Sequence, residues 1–225
     1  LPPLLLETLV QINISTINHR LRPTKLVPRT QDKSKHKYDL YIINLKHRKD
    51  RYQRIKEDPI IKQTFNIHWF RAYDYSQSQG WIGCARSHLS LIMYAKNHHY
   101  PWIIVGEDDL ELTINSQSLI NILDQLYTHR QQWTVFSGGP TMWEFIDNSF
   151  RHQPDFNSNH SHDQLHKFPC SWGEHLWSID WGQSTQFMIY NSNSYDLLLS
   201  YNYDLVTYSQ SPVNHHIDRF ISTYF

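Results

Sequence analysis

A short apolar segment that ends in carboxylates constrains the fold of this chain more than any other feature. Residues 102–106 are mostly aromatic or branched apolar residues, which suit a β-strand covered on both faces of a sheet. Glu107, Asp108 and Asp109 follow where such a strand emerges. Crowded carboxylates repel one another, and a divalent cation compensates their charge most simply. The run predicts metal-assisted chemistry on a phosphorylated substrate. A solvated acidic turn is the alternative interpretation.

Strand-like and helix-like segments alternate along the chain from residue 38 onwards. Apolar runs bounded by turn residues predict strands over residues 38–45, 65–72, 101–106, 133–136 and 185–190. Apolar residues at helical spacing predict helices over residues 47–62, 83–98, 194–201 and 213–224. Asn115 and Ser116 are predicted to cap one more helix, which carries an apolar stripe. This alternation predicts an α/β domain in which helices flank a mostly parallel central sheet.

Two segments fall outside this alternation. Residues 1–36 contain four prolines and a basic, polar stretch, which predict an N-terminal arm or linker. Residues 141–182 are rich in His, Asn, Ser and Trp without a sustained period, and a long irregular segment in a compact domain is usually functional or mobile. We therefore expect one catalytic domain over residues 37–225, with residues 141–182 as an irregular insert and candidate acceptor region.

Composition argues against several classes of partner. Lysine plus arginine and aspartate plus glutamate both total 21, and the resulting formal net charge of zero argues against a broad nucleic-acid or membrane-surface footprint. We expect no membrane span in this chain, because no apolar run approaches the roughly 20 residues that such a helix needs. Cys84 and Cys170 are too few for a disulfide framework. The chain begins with Leu1, which indicates a fragment, so the sequence leaves a cytoplasmic or lumenal location open.

A basic turn follows the first predicted strand. Asn44 and Leu45 end that strand, and Arg48 and Arg51 come shortly after it. Ligands of open α/β sheets bind beyond the carboxyl ends of the strands, so a nucleotide diphosphate is the predicted partner of these side chains. A solvated first helical turn is the alternative interpretation.

A glycine and three polar residues begin the helix predicted from residue 83. Gly83 allows the backbone to come close to a ligand, and the helix N-terminus offers unpaired N–H donors. Cys84, Ser87 and His88 are spaced so that they share one helix face. No nucleophile elbow surrounds Ser87, and a buried, hydrogen-bonded histidine is the alternative interpretation of His88.

The last predicted helix carries polar residues on a face separate from its apolar one. Ile217 and Ile221 belong to the apolar face, whereas His215 and Asp218 fall on a different one. Asp218 is a candidate general base or metal ligand, and His215 or His216 is a further candidate metal ligand. A solvated helix face explains the same residues without any chemistry.

Taken in order, these elements resemble glycosyltransferase family 25, which includes bacterial lipooligosaccharide galactosyltransferases and procollagen galactosyltransferases. The matching motifs are Ile-Ile-Asn-Leu-x-x-Arg-x-x-Arg at 42–51, Gly-x-x-Gly-Cys-x-x-Ser-His at 80–88, Ile-Val-Gly-Glu-Asp-Asp at 104–109, Gln-Phe-Met-Ile-Tyr at 186–190 and Pro-Val-Asn-His-His-Ile-Asp at 212–218. The likeness covers the chain from about residue 38 onwards. It departs from the family pattern in the lengthened spacing before Asp218 and in the insert at 141–182.

The resemblance implies a GT-A-type nucleotide-sugar-binding fold and an inverting, metal-dependent transferase. Such an enzyme moves a hexose from a UDP-sugar donor to a hydroxyl acceptor on a glycan or a hydroxylated protein. Mn²⁺ or Mg²⁺ is the expected metal, with Glu107, Asp109 and His216 as its candidate ligands and Asp218 as the candidate base. Residues expected to bind the donor are Asn44, Leu45, Arg48, Arg51, Gly83, Cys84, Ser87, His88 and Asp108.

Two other functions stay open at this point. One is a non-catalytic protein that binds a carbohydrate or a nucleotide sugar, and the other is a metal-dependent phosphoester hydrolase that uses the same carboxylates. The donated sugar, the acceptor and the oligomeric state do not follow from the sequence.

Overall fold

The computed structural model describes residues 37–75, 80–138, 142–144, 151–152, 181–183 and 185–200, together with residues 217 and 221. The strands are β1 (Tyr38–Asn44), β2 (Phe65–Arg71), β3 (Trp102–Glu107), β4 (Val135–Ser137), β5 (Met142–Glu144), β6 (Arg151–His152), β7 (Trp181–Gln183) and β8 (Phe187–Asn191). The helices are α1 (Lys49–Glu57), α2 (Pro59–Thr64), α3 (Gly80–Asn97), α4 (Ser116–Thr128) and α5 (Tyr195–Leu199). The predicted arm at residues 1–36 lies outside the described residues.

The main sheet has five strands in the order β2-β1-β3-β8-β4. β1 pairs in parallel with both β2 and β3, whereas β8 runs antiparallel to both β3 and β4. β4 therefore runs in the direction of β3, and β8 alone is reversed. The prediction of a mostly parallel sheet is confirmed, but it did not include the reversed direction of β8.

A second sheet forms within the segment that was expected to be irregular. β5 pairs antiparallel with both β6 and β7, which gives a three-stranded sheet in the order β6-β5-β7. The expectation of no regular structure at 141–182 is therefore wrong for these strands. Their two or three residues are too few to show a period, which is why the sequence pattern does not reveal them.

Apolar cores lie on both faces of the main sheet. Successive residues of a strand point to opposite faces, so Leu40 and Ile42 of β1 enter one core while Tyr41 and Ile43 enter the other. The first core joins the sheet to α1, α2 and α4, and the second joins it to α3 and α5. The domain is thus a sheet between two helical layers, as the alternation predicted.

The helix predicted over residues 47–62 is in fact two helices, α1 and α2. Pro59 stands in the first turn of α2, where its missing N–H group is not needed, and it disfavours a helical conformation at Asp58. The Asp58 carboxylate accepts a hydrogen bond from the Ile61 N–H at 2.8 Å and so caps α2. Asn115 caps α4 in the same way, as predicted, by accepting from the Ser118 N–H at 2.9 Å.

One edge of the main sheet collects the polar ends of several strands, and we call it the carboxyl edge. β1, β2, β3 and β4 all end there, and the reversed β8 begins there. Ile43 is in register with Glu107, and Gly106 is in register with Phe187. Asn44, Glu107 and Thr185 are consequently neighbours although they are far apart in the chain.

No helix in the described part of the chain combines the length and the apolar character needed to cross a membrane.

Candidate functional site

The carboxylate run leaves β3 through a tight turn. The Leu110 N–H donates to the Glu107 carbonyl at 3.0 Å, so the chain turns over residues 107–110 instead of staying extended. In an extended strand, the side chains of Glu107 and Asp109 would point to the same face of the sheet. Because the chain turns, the two side chains contact different elements. Glu107 faces α3, whereas Asp108 and Asp109 both contact Arg51 of α1.

Two groups of side chains result. We call Cys84, His88, Glu107, Thr185 and Tyr190 the Glu107 cluster. We call Asn44, Arg51, Asp108 and Asp109 the Arg51 cluster.

The Arg51 cluster holds the turn against the ends of β1 and α1. Arg51 NH1 lies 2.7 Å from Asp108 Oδ1 and 3.2 Å from Asp109 Oδ2. Asn44 donates from Nδ2 to Asp108 Oδ2 at 2.9 Å, and Arg54 donates to the Asp108 carbonyl at 3.0 Å. Both carboxylate oxygens of Asp108 therefore have partners within the protein, and the residue is only 5% exposed. These contacts give Asn44 and Asp108 a positioning role, and their predicted contact with a donor stays a prediction.

Asp109 differs from Asp108 in having an unsatisfied oxygen. Its Oδ2 contacts Arg51, whereas its Oδ1 is buried and has no hydrogen-bond partner among the described residues. Burial raises the pKa of the Asp109 carboxyl above its usual range, and the nearby Glu107 charge adds to this increase while Arg51 opposes it. Ionisation of the Asp109 carboxyl is thus disfavoured in this buried position, and a bound cation would favour it.

In the Glu107 cluster, the carboxylate oxygen Oε1 of Glu107 contacts two residues of α3 and Thr185, which precedes β8. Glu107 Oε1 accepts from the Thr185 hydroxyl and from the Cys84 thiol, whose Sγ lies 3.6 Å away. His88 Nε2 of α3 lies 3.4 Å from the same oxygen. Burial raises the pKa of Glu107, but interactions with His88, Thr185 and Cys84 together outweigh it and hold the pKa below its usual range. Glu107 is therefore ionised at neutral pH.

The histidine of this cluster is completely buried. His88 Nδ1 lies 2.8 Å from the Tyr190 hydroxyl of β8, and its ring packs edge-on against the Tyr190 ring at 5.8 Å. Nε2, on the other side of the ring, has no hydrogen bond of acceptable geometry in the described part of the chain. These contacts agree with the alternative interpretation of His88 as a buried, hydrogen-bonded histidine, and its predicted contact with a donor stays a prediction.

Gly83 and Ser87 both contact the chain after β2. α3 begins at Gly80, so Gly83 lies inside the helix, where a Cβ would clash with the Tyr73 carbonyl oxygen. Ser87 Oγ donates to the Gly83 carbonyl at 2.7 Å and accepts from the Tyr73 N–H at 3.1 Å. Gly83 therefore approaches the chain after β2 closely, and its predicted contact with a ligand stays a prediction. The shared face holds for Cys84 and His88, whereas Ser87 contacts Tyr73.

The basic turn after β1 has its own partners. Leu45 packs against the second core, and its carbonyl accepts from the Arg48 N–H at 2.9 Å. The Arg48 guanidinium pairs with Asp50 at 2.8 Å and is 34% exposed. The hydrogen bond to Asp50 raises the pKa of Arg48, and the charges of Asp108 and Asp109 add to this increase. A cationic group thus stays beside the carboxyl edge within reach of solvent.

Two predicted site residues, His216 and Asp218, lie outside the described residues. Ile217 and Ile221 are helical and buried in the second core, which confirms their place on the apolar face of a helix. That core also contains residues of α3, the helix that carries Cys84 and His88.

Three contact residues of the site were not predicted: Arg54, Thr185 and Tyr190. Thr185 reaches the cluster because β8 is reversed, so its start lies at the carboxyl edge. Tyr190 lies further along β8 beside Ile103 and contacts His88 through its hydroxyl. The only available signal was the position of Thr185 beside a predicted strand, and that signal does not give the strand's direction. Arg54 lies one helical turn after Arg51, and this spacing could have revealed it.

No protein-family model matches the chain, and no curated protein gives a significant match. The described residues define a mixed α/β domain whose main sheet carries an acidic and basic cluster at its carboxyl edge.

Proposed function

We propose that this protein is a metal-dependent glycosyltransferase that moves a hexose from a UDP-sugar to a hydroxyl group on a glycan or a hydroxylated protein. One observation carries the proposal: at the carboxyl edge, beside the cationic side chain of Arg51, Asp109 offers a buried carboxylate oxygen that has no partner in the described part of the chain. Open α/β sheets bind ligands at this edge. The resemblance of the motifs to glycosyltransferase family 25 supports the UDP-sugar donor, the GT-A-type fold and inversion at the anomeric carbon.

The donor atoms of the site suit a hard divalent cation. Mn²⁺ and Mg²⁺ prefer oxygen ligands, and Asp109 would supply one through Oδ1. Glu107, at the end of β3, is the second candidate. When bound, the metal stabilises the negative charge that develops on the departing nucleoside diphosphate.

The residues of the chain would orient the donor and balance its charge. Arg51 fixes the turn that carries Asp109, because it bonds to Asp108 and Asp109 together. Arg48 is partly exposed beside the same edge and would meet the diphosphate as a permanent cation. A carboxylate base must then take the proton of the acceptor hydroxyl, and Asp218 is the candidate that the sequence offers.

The proposal predicts that UDP binding depends on a divalent cation. Melting temperatures of the full chain should rise when UDP-sugars are added with Mn²⁺ and should not rise when they are added with a chelator, because only a bound ligand stabilises the folded state. Calorimetry should then give a dissociation constant for UDP in Mn²⁺ alone. Equal UDP affinity in Mn²⁺ and in chelator would contradict the proposal.

The reaction products separate the three functional classes. A transferase leaves intact UDP and a glycosylated acceptor, a phosphoester hydrolase cleaves the diphosphate, and a binding protein releases no UDP. Mass spectrometry of the products formed from a UDP-hexose and a hydroxyl acceptor distinguishes these outcomes.

A second prediction concerns the base. Asp218→Asn keeps the size of the side chain but removes the carboxylate. If Asp218 is the base, the variant should keep its affinity for UDP and metal while the transfer rate falls by about 100-fold or more. If Asp218 is a metal ligand, metal affinity should fall together with the rate. Wild-type values of both would show that the base is another residue.

A further inference from the structure

A second group of potential metal ligands lies beside the acidic turn and differs from it chemically. Cys84 and His88 of α3 and Glu107 at the end of β3 each direct one ligand atom into a common space, and these atoms all lie within 4.8 Å of one another. One donor is sulfur, one is nitrogen and one is oxygen. The thiol distinguishes this set from a site for Mg²⁺ or Mn²⁺, because those cations prefer oxygen ligands whereas thiolates favour softer metals such as Zn²⁺.

The spacing of the atoms fits tetrahedral coordination. Metal–ligand distances near 2.0–2.3 Å in a tetrahedral zinc site place neighbouring ligand atoms about 3.5 Å apart. Cys84 Sγ lies 3.6 Å from Glu107 Oε1, and His88 Nε2 lies 3.4 Å from the same oxygen. Two of the three distances between ligand atoms therefore match this geometry, and the third, from Cys84 Sγ to His88 Nε2, is within 4.8 Å.

The buried histidine provides an independent indication. His88 is 0% exposed, and its Nε2 makes no hydrogen bond of acceptable geometry among the described residues, although Glu107 Oε1 lies 3.4 Å away. Buried polar atoms normally make well-formed hydrogen bonds, so a ring nitrogen that makes none and is directed into a cluster of ligand atoms calls for a closer partner. A metal ion is a partner that Nε2, Sγ and Oε1 can share.

The surrounding contacts resemble the supporting shell of a metal site. A histidine that binds metal through one ring nitrogen usually donates from the other to an oxygen, which fixes its tautomer. Here Nδ1 lies 2.8 Å from the Tyr190 hydroxyl, so an Nδ1–H tautomer presents the Nε2 lone pair to the cluster. The Thr185 hydroxyl orients Glu107. Cys84 is only partly buried and Glu107 is 25% exposed, which gives an ion a route from solvent.

We propose that Cys84, His88 and Glu107 form a site for a borderline-soft divalent cation of the Zn²⁺ class, with a fourth coordination position for water. Binding would release the thiol proton to solvent, since the thiolate is the ligand. The site ties α3 to the end of β3 and, through Thr185 and Tyr190, to β8. Asp109 and Arg51, which carry the proposed transferase site, take no part in it, whereas Glu107 is a candidate ligand of both sites.

Cobalt titration of the full chain, freed of metal and of any affinity tag, tests this site. One equivalent of Co²⁺ should produce a thiolate-to-cobalt charge-transfer band and the intense visible bands of tetrahedral cobalt. Zn²⁺ should remove both sets of bands, and Mg²⁺ should leave them unchanged. Absence of the charge-transfer band in the wild-type protein would overturn the proposal.

Matched variants assign the ligands. Cys84→Ser should remove the charge-transfer band and weaken Zn²⁺ binding by at least about 100-fold, since loss of an outer-shell partner alone costs 10–100-fold. Glu107→Gln, checked for its fold by circular dichroism, should also weaken Zn²⁺ binding strongly. Cys170→Ser and His99→Asn should keep the wild-type bands. A band that survives Cys84→Ser or is lost in Cys170→Ser would overturn the assignment.

The variant Asp109→Asn separates this site from the one proposed for the donor. It should keep the cobalt bands while it loses metal-dependent UDP binding. Loss of UDP binding together with retained bands supports two separate sites, and loss of both would overturn the independence of the second site.

Discussion

Asp109→Asn should abolish metal-dependent UDP binding and yet leave the metal-free protein at least as stable as the wild type. Removal of a metal ligand should weaken UDP binding in Mn²⁺ by about 100-fold or more, because even outer-shell partners contribute 10–100-fold. Isothermal titration calorimetry in Mn²⁺ measures this loss. Arg51 keeps its 2.7 Å contact with Asp108 in the variant, so the turn retains its main anchor.

The expected stability follows from the pKa of Asp109. Burial and the Glu107 charge raise that pKa in the folded state, so the wild-type protein loses stability as the pH rises through it. Asparagine does not ionise, and the variant should escape this loss. Its melting temperature at pH 7 in chelator should therefore equal or exceed that of the wild type.

A neighbouring carboxylate supplies the matched control. Glu111 lies two residues further on, pairs with Arg54 and has a side chain that is 77% exposed. Glu111→Gln removes the same charge from the same segment and should keep wild-type UDP affinity, since surface ion pairs contribute little. If Asp109→Asn binds UDP as tightly as Glu111→Gln does, Asp109 is not a metal ligand.

Gly83→Ala should lower the free energy of unfolding by about 1–3 kcal/mol, the usual cost of an overpacked interior. The new Cβ would clash with the Tyr73 carbonyl oxygen, which is backbone and cannot move away as a side chain can. Higher helix propensity gains at most about 1 kcal/mol in the other direction. Denaturant unfolding monitored by circular dichroism measures the difference.

Gly80→Ala is the control for this variant. Gly80 lies in the same helix, and a Cβ there meets no atom of the described residues within 4 Å. Its substitution should leave stability unchanged or raise it by up to about 1 kcal/mol through helix propensity. If the two variants unfold alike, the contact between Gly83 and Tyr73 does not limit how closely α3 packs against the chain after β2.

The layered α/β architecture could be predicted because its elements depend on local patterns. The buried strand over residues 102–107 and the apolar stripe of α4 can each be read from neighbouring residues. The direction of β8 cannot be read in this way, because parallel and antiparallel central strands have similar apolar runs. Pro59 could have predicted that the helix over residues 47–62 breaks at Asp58. The break was missed because the residues on either side are all compatible with a helix.

The candidate site was predictable to the extent that its residues are close in sequence. Cys84 and His88 are one helical turn apart, so their common orientation followed from spacing. Their meeting with Glu107 and Thr185 depends on the packing of three elements, which spacing does not give. Ser87 shows the converse: its spacing fitted the shared face, but a hydrogen bond to the Gly83 carbonyl directs it elsewhere.

The reversal of β8 also makes the middle of the chain modular. β4 ends and β8 begins at the same edge, and the Gly138 N–H donates to the Phe187 carbonyl at 2.9 Å. The chain between Gly138 and Thr185 therefore leaves and re-enters the sheet through one hydrogen-bonded base. Closing such a base costs entropy that grows only slowly with loop length, so the intervening sequence can lengthen, shorten or be exchanged during evolution without disturbing the strands. New surfaces can thus arise beside an unchanged carboxyl edge.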